Sequence, residues 1–182
     1  MVGLRRVHEG RNAAQRRGTD CPHLLAPNAN VNAELDAPRM NAACGIYLIN
    51  LDRSPDRLAM QNELVAELGL SFTRVHAVDG SALDFPHPAL DEKGFHSRHG
   101  KTITPNELGC TLSHLRAIET FAKSDQDFAV ILEDAADLSD HFARVIDAAI
   151  AQAHRWDMVK LNRRHSGMPV TVPPLTADHR LV

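Results

Sequence analysis

The feature that most restricts the fold is a buried-strand run followed at once by a capped helix and a second strand-like run. Ile46-Tyr47-Leu48-Ile49 is almost continuously apolar, the pattern of a strand covered on both faces. Ser54-Pro55-Asp56 then offers an N-cap hydroxyl, proline at the first helical position and an acid in the first turn. Leu58, Leu64, Val65 and Leu68 continue at helical spacing, and Gly69 supplies a stop. Residues 71–78 read as a second strand, closed by the turn pair Asp79-Gly80. A β–α–β start of this kind predicts an α/β chain with a mostly parallel sheet and helices on both of its faces.

The pattern continues downstream. Residues 81–103, rich in His, Pro and Gly, read as a long loop. Thr104-Pro105-Asn106-Glu107 supplies a capping box with proline at N1, opening a helix whose expected apolar face is Leu108, Leu112, Leu115, Ile118 and Ala122. Residues 128–132 are a third buried strand ending in Glu133-Asp134. Ser139 can cap a further helix with Phe142, Val145, Ile146 and Ala149 inward, and residues 158–161 are a fourth strand.

Residues 1–39 differ in kind. Their apolar residues follow neither strand nor helix period, prolines interrupt them, and six arginines face four acids. The expectation is a disordered or non-native leader over 1–39 and a folded domain over 40–182. A chain of 182 residues suits one such domain. The net charge of −3 gives no basic field to attract nucleic acid. Cys21, Cys44 and Cys110 are odd in number and contain no CxxC, which argues against a disulfide scaffold and fits a reducing compartment. No apolar run approaches the roughly 20 residues of a membrane span, and no signal-type apolar region follows the arginines. The expectation is a cytoplasmic protein. Peripheral attachment at the inner membrane stays open, because it needs no spanning segment.

Phosphate-loop, dinucleotide and GxSxG motifs are absent. Ser113 and His114 are neighbours on a helix and point about 100° apart, so they are no nucleophile–base pair. His96 and His99 lie in a glycine-containing loop and read as solvated rather than as metal ligands. Three segments sit where strands end or helices begin, the places where open α/β sheets collect ligands. In the first, Asn50, Asp52, Arg53 and Arg57 combine polar groups with a helix N-terminus suited to an anion. Spacing alone equally fits Arg57 pairing with Asp56 or Glu63 on a solvated helix face. The second segment, from Glu107 to His114, offers Glu107, Ser113 and His114 as pocket residues. The third is Glu133-Asp134, a carboxylate pair suited to a hard cation such as Mg²⁺ or Mn²⁺, or equally an acidic strand-to-loop corner. Successive residues of a strand point oppositely, so Glu133 would share a face with position 135, which is alanine.

The order INLDRSPDR, AVDG, ELGCTLSH and ILED resembles the family 25 glycosyltransferases, which include lipopolysaccharide and lipooligosaccharide glycosyltransferases and collagen galactosyltransferases. The likeness is strongest over 45–161. It implies a GT-A-like α/β fold, a nucleotide-sugar donor such as UDP-galactose, a glycan or glycolipid acceptor, and a divalent metal, Mn²⁺ or Mg²⁺. On this likeness Asn50, Asp52, Arg53 and Arg57 face the donor, Glu133 and Asp134 hold metal, and no catalytic base is assigned. The chain departs from the family at Ala135, where a second Asp is usual, and it stops at Val182, before the family's further strands. The alternative expectation is therefore a truncated, non-catalytic nucleotide-sugar binder.

Overall fold

A computed structural model describes residues 2–6 and 43–161. The strands are β1 (Val2–Arg5), β2 (Cys44–Asn50), β3 (Thr73–His76), β4 (Phe128–Glu133) and β5 (Met158–Lys160). The helices are α1 (Pro55–Glu67), α2 (Glu92–His99), α3 (Pro105–Ala122) and α4 (Phe142–Ala151). They form one five-stranded sheet in the order β3-β2-β4-β1-β5.

At the centre, β2 pairs in parallel with both β3 and β4, as its run of buried residues on both faces requires. The sheet is nevertheless mixed rather than mostly parallel. β1 enters antiparallel between β4 and β5, with Val2 opposite Ile131 on one side and Lys160 on the other. Leu4 is buried in the core, and Arg6 directs its guanidinium at the carbonyls of Phe121 and Ser124, where it neutralises the negative end of α3. Four residues of the expected leader are thus a sheet strand; residues 7–42, which hold most of it, and residues 162–182 lie outside the described residues.

Helices cover both faces, as the β–α–β pattern predicted. Ile46, Leu48, Val130 and Leu132 meet Val65 of α1 and Phe142 and Ile146 of α4 on one side. Tyr47, Ile49, Val75 and Ile131 meet Ala117 and Phe121 of α3 on the other. Gly69 ends the first helix at φ +67°, a left-handed conformation natural to glycine. Ser54 occupies the N-cap position of α1, but its hydroxyl makes no capping bond.

Two further expectations change. The segment read as a long loop contains α2, capped at Asp91, whose carboxylate accepts from the Gly94 N–H, and stopped by Gly100 at φ +65°. The buried stripe of α3 is Leu108, Gly109, Ser113, Ala117 and Phe121, whereas Leu115 is 49% and Ile118 36% exposed. Counting branched aliphatics missed that small residues at i, i+4 bring this helix close to its neighbour. A Cβ on Gly109 would stand 2.7 Å from the Gly80 nitrogen and 2.8 Å from the Val78 carbonyl oxygen. Among the described residues no helix is long and apolar enough to cross a membrane.

Candidate functional site

The parallel strands β2, β3 and β4 end together, and the loops after them enclose a cleft of about 220 Å³. This is the carboxyl edge at which α/β sheets bind ligands. After β2, Leu51 and Arg53 line it; after β3, residues 77–80; after β4, Glu133 and Asp134. The first half of α3 closes it with Asn106, Cys110, Ser113 and His114. The tight Gly80–Gly109 approach is what lets α3 lie against the loop after β3.

Asn50 is fully buried at the end of β2 and uses its whole amide. Its Nδ2 donates to the Ser54 carbonyl at 3.0 Å and to Asp134 Oδ2 at 2.8 Å, while Oδ1 accepts from Arg74 at 2.8 Å. It acts as a strap between the start of α1 and the turn after β4. Asp134 is held a second time through its backbone N–H, which donates to the Ile49 carbonyl. Its Oδ1 accepts from Arg57 at 3.3 Å. Arg57 therefore pairs with Asp134, across the strand ends, rather than with Asp56 or Glu63. Arg53 crosses to Asp79 at 2.5 Å and to the Ser81 hydroxyl at 3.3 Å. Hydrogen bonds from Ser81, with the Arg53 charge, hold the Asp79 carboxyl below its usual range.

Other expected site residues go elsewhere. Asp52 faces Arg74 and His76 at 2.7 Å each and is not among the residues lining the cleft. The His76 hydrogen bond is the main cause lowering its pKa. Glu107 completes the capping box with Thr104 and binds Lys101 at 2.6 Å, which first among several bonds brings its pKa down to about 2. It too is absent from the cleft lining. Ser113 lines the cleft but is buried, donating to the Gly109 carbonyl at 2.6 Å and accepting from the Val78 N–H at 2.8 Å. Both functions of its hydroxyl serve the packing of α3.

Glu133 and Asp134, expected as a metal pair, turn to different partners. Glu133 Oε1 lies 3.2 Å from His114 Nε2. The backbone turns directly after the strand, with the Ala136 N–H donating to the Glu133 carbonyl. Ala135 and Asp137 stay exposed. Among the described residues, the donor atoms close enough together to hold a cation are those of Cys110, His114 and Glu133, all within 4.8 Å of one another. Burial, and then the Glu133 charge, push the Cys110 thiol pKa up. A hard cation such as Mg²⁺ or Mn²⁺ prefers an all-oxygen shell, and this set of sulfur, nitrogen and oxygen does not fit it. Cys110 was legible only as one turn before His114 in ELGCTLSH, the spacing that puts two side chains on one helix face. Asp79 and Asn106, also at the cleft, carried no signal beyond a turn and a helix start.

Residues 43–168 match the family model described as glycosyltransferase family 25 (LPS biosynthesis protein). The chain is similar to a rat protein named "Probable inactive glycosyltransferase 25 family member 3", 29% identical over 80% of this chain and 27% of the relative. It is similar to a "Glycosyltransferase 25 family member" of Aedes aegypti, 30% identical over 65% of this chain and 21% of the relative. It is also similar to "Procollagen galactosyltransferase 1-B" of Xenopus laevis, 26% identical over 86% of this chain and 27% of the relative. The chain spans about a quarter of the length of these curated relatives. No solved structure matches it.

Proposed function

The chain belongs to glycosyltransferase family 25, and from that premise we propose that it acts in sugar transfer, taking galactose from a nucleotide donor to a hydroxyl of lipopolysaccharide or another surface glycan. We read the sheet as the donor half of a GT-A-like fold, working in the cytoplasm. The observation that carries the reading is the pair of arginines at the start of α1. Arg53 lines the cleft at the carboxyl edge of the sheet, and Arg57 lies one turn further, against Asp134. Both are more than half exposed, with side-chain accessibilities of 58% and 59%, so their guanidinium groups can turn to an incoming anion.

In such a transfer the acceptor hydroxyl attacks the anomeric carbon while the nucleoside diphosphate departs. The protein's work is to orient both partners and to offset the charge building on the diphosphate. Arg53 and Arg57 supply that charge as bidentate donors, and the free N–H groups of α1 add to it. Asp79 and Asp134 fix the two guanidiniums, and Asn50 fixes Asp134. On this reading Asn50 and Asp52 are positioning residues, Asn50 through Asp134 and Asp52 through Arg74. Ser113 holds α3 at the cleft wall.

The second reading, a nucleotide-sugar binder without turnover, is favoured by Ala135 and by the rat relative whose name describes it as probably inactive. Isothermal titration with UDP and UDP-galactose, with and without Mn²⁺, followed by a donor-hydrolysis assay, separates the two. Binding with hydrolysis supports the transferase, and binding alone supports the binder. Arg57→Ala is expected to weaken UDP binding by about 1.5–3 kcal/mol, the range for a hydrogen bond to a charged group. Unchanged UDP affinity in this variant would confine Arg57 to its pairing with Asp134.

A further inference from the structure

We propose that Cys110, His114 and Glu133 form a three-ligand site for a borderline divalent cation, Zn²⁺ above all, with a fourth coordination position open to the cleft. The donor types come first. A thiol, an imidazole and a carboxylate make the mixed set that Zn²⁺ accepts, and three protein ligands with one open position is its arrangement at reactive rather than structural sites.

Geometry is the second ground. Cys110 and His114 are one turn apart on α3 and so share a face. Glu133 ends β4, directly opposite that face. Tetrahedral zinc with bonds of about 2.0–2.3 Å sets its ligand atoms roughly 3.3–3.7 Å apart. The His114–Glu133 separation of 3.2 Å is already near that value. The whole triad fits within 4.8 Å, so the sulfur has at most about an ångström to close. Cys110 is exposed and His114 half-buried, which leaves their side chains room for that rotation.

Accessibility is the third ground. All three residues line the cleft, so the side of the ion away from them faces its open space. The fourth ligand is then water or an anionic oxygen entering the cleft. None of this draws on the donor reading, and the test contains no nucleotide.

The test titrates the full chain with Zn²⁺ alone and counts bound metal. One Zn²⁺ per chain is expected, and Co²⁺ in its place should give the near-ultraviolet thiolate-to-cobalt band. Losing a partner of a metal ligand already costs about 10–100-fold in affinity, so losing the ligand should cost at least tenfold. Cys110→Ser should abolish the cobalt band and lower Zn²⁺ affinity by that factor. His114→Ala and Glu133→Gln should lower affinity similarly, whereas His96→Ala, on exposed α2, should leave it unchanged. Zn²⁺ affinity in Cys110→Ser and His114→Ala equal to that of the unaltered chain overturns the proposal. Peptide mapping of iodoacetamide labelling at Cys110 in the unaltered chain guards against a variant that fails to fold. Zn²⁺ should slow that labelling and Mn²⁺ should not; equal rates with and without Zn²⁺ also overturn it.

Discussion

On one face of the sheet, α1 and α4 lay Val65, Phe142 and Ile146 over Ile46, Leu48, Val130 and Leu132, a contact made almost wholly of large apolar side chains. On the other face, α3 lays Ala117 and Phe121 over the sheet, and at its cleft end Gly109 comes up against the backbone of Val78 and Gly80 in the loop after β3, where Ser113 bonds the Val78 N–H. Both faces are stabilised by apolar volume removed from water, the second through Tyr47, Ile49, Val75, Phe121 and Ile131; only on the second, at its cleft end, do close approach and hydrogen bonding add a further constraint. The cleft opens on the second. A helix that carries Cys110 and His114 to within bonding reach of β4 must lie close to the strand ends, and large side chains at the contact would hold it away.

The comparison predicts opposite sensitivities. Leu132→Ala removes a fully buried side chain from the apolar face and should cost about 2–5 kcal/mol in urea unfolding. A cost below about 1 kcal/mol would mean that this face collapses around the gap, and the contrast would fail. Gly109→Ala should destabilise by about 1–3 kcal/mol, because the new Cβ meets backbone that cannot rotate aside. Helix propensity alone favours this change by about 1 kcal/mol, so a stabilised variant would break the close-approach argument. Ser113→Ala should cost about 1 kcal/mol and speed hydrogen exchange at the Val78 amide. Unchanged exchange there would show that the hydroxyl does not carry the contact.

How much was legible follows the range of each signal. The β2–α1–β3 unit and the capping box of α3 announce themselves within a few residues, and they appear where the sequence put them. The opposite turning of Glu133 and Asp134 was legible from strand alternation, although their partners were not. α2 was hidden because its stop signals sit in a stretch dominated by histidine and glycine, which reads as loop. The face of α3 was misread because glycine, serine and alanine add little to an apolar count while permitting the closest packing. β1 was invisible for another reason. Val-Gly-Leu-Arg has no strand period of its own and becomes a strand only between β4 and β5. Cys110 gained meaning only when Glu133 was seen to approach the same helix turn.

The place of β1 also bears on the order of assembly. β2, α1 and β3 are near neighbours in sequence and can meet as soon as they are made. β1 precedes them in the chain, yet both of its pairing partners, β4 and β5, come after them. It therefore leaves the ribosome before either neighbour exists and must wait for them. Closing so long a loop is entropically costly, and such distant pairings form slowly. β5 pairs only with β1 among the described strands, so its register in the sheet depends on β1. On these grounds the far edge of the sheet is expected to close after the cleft edge.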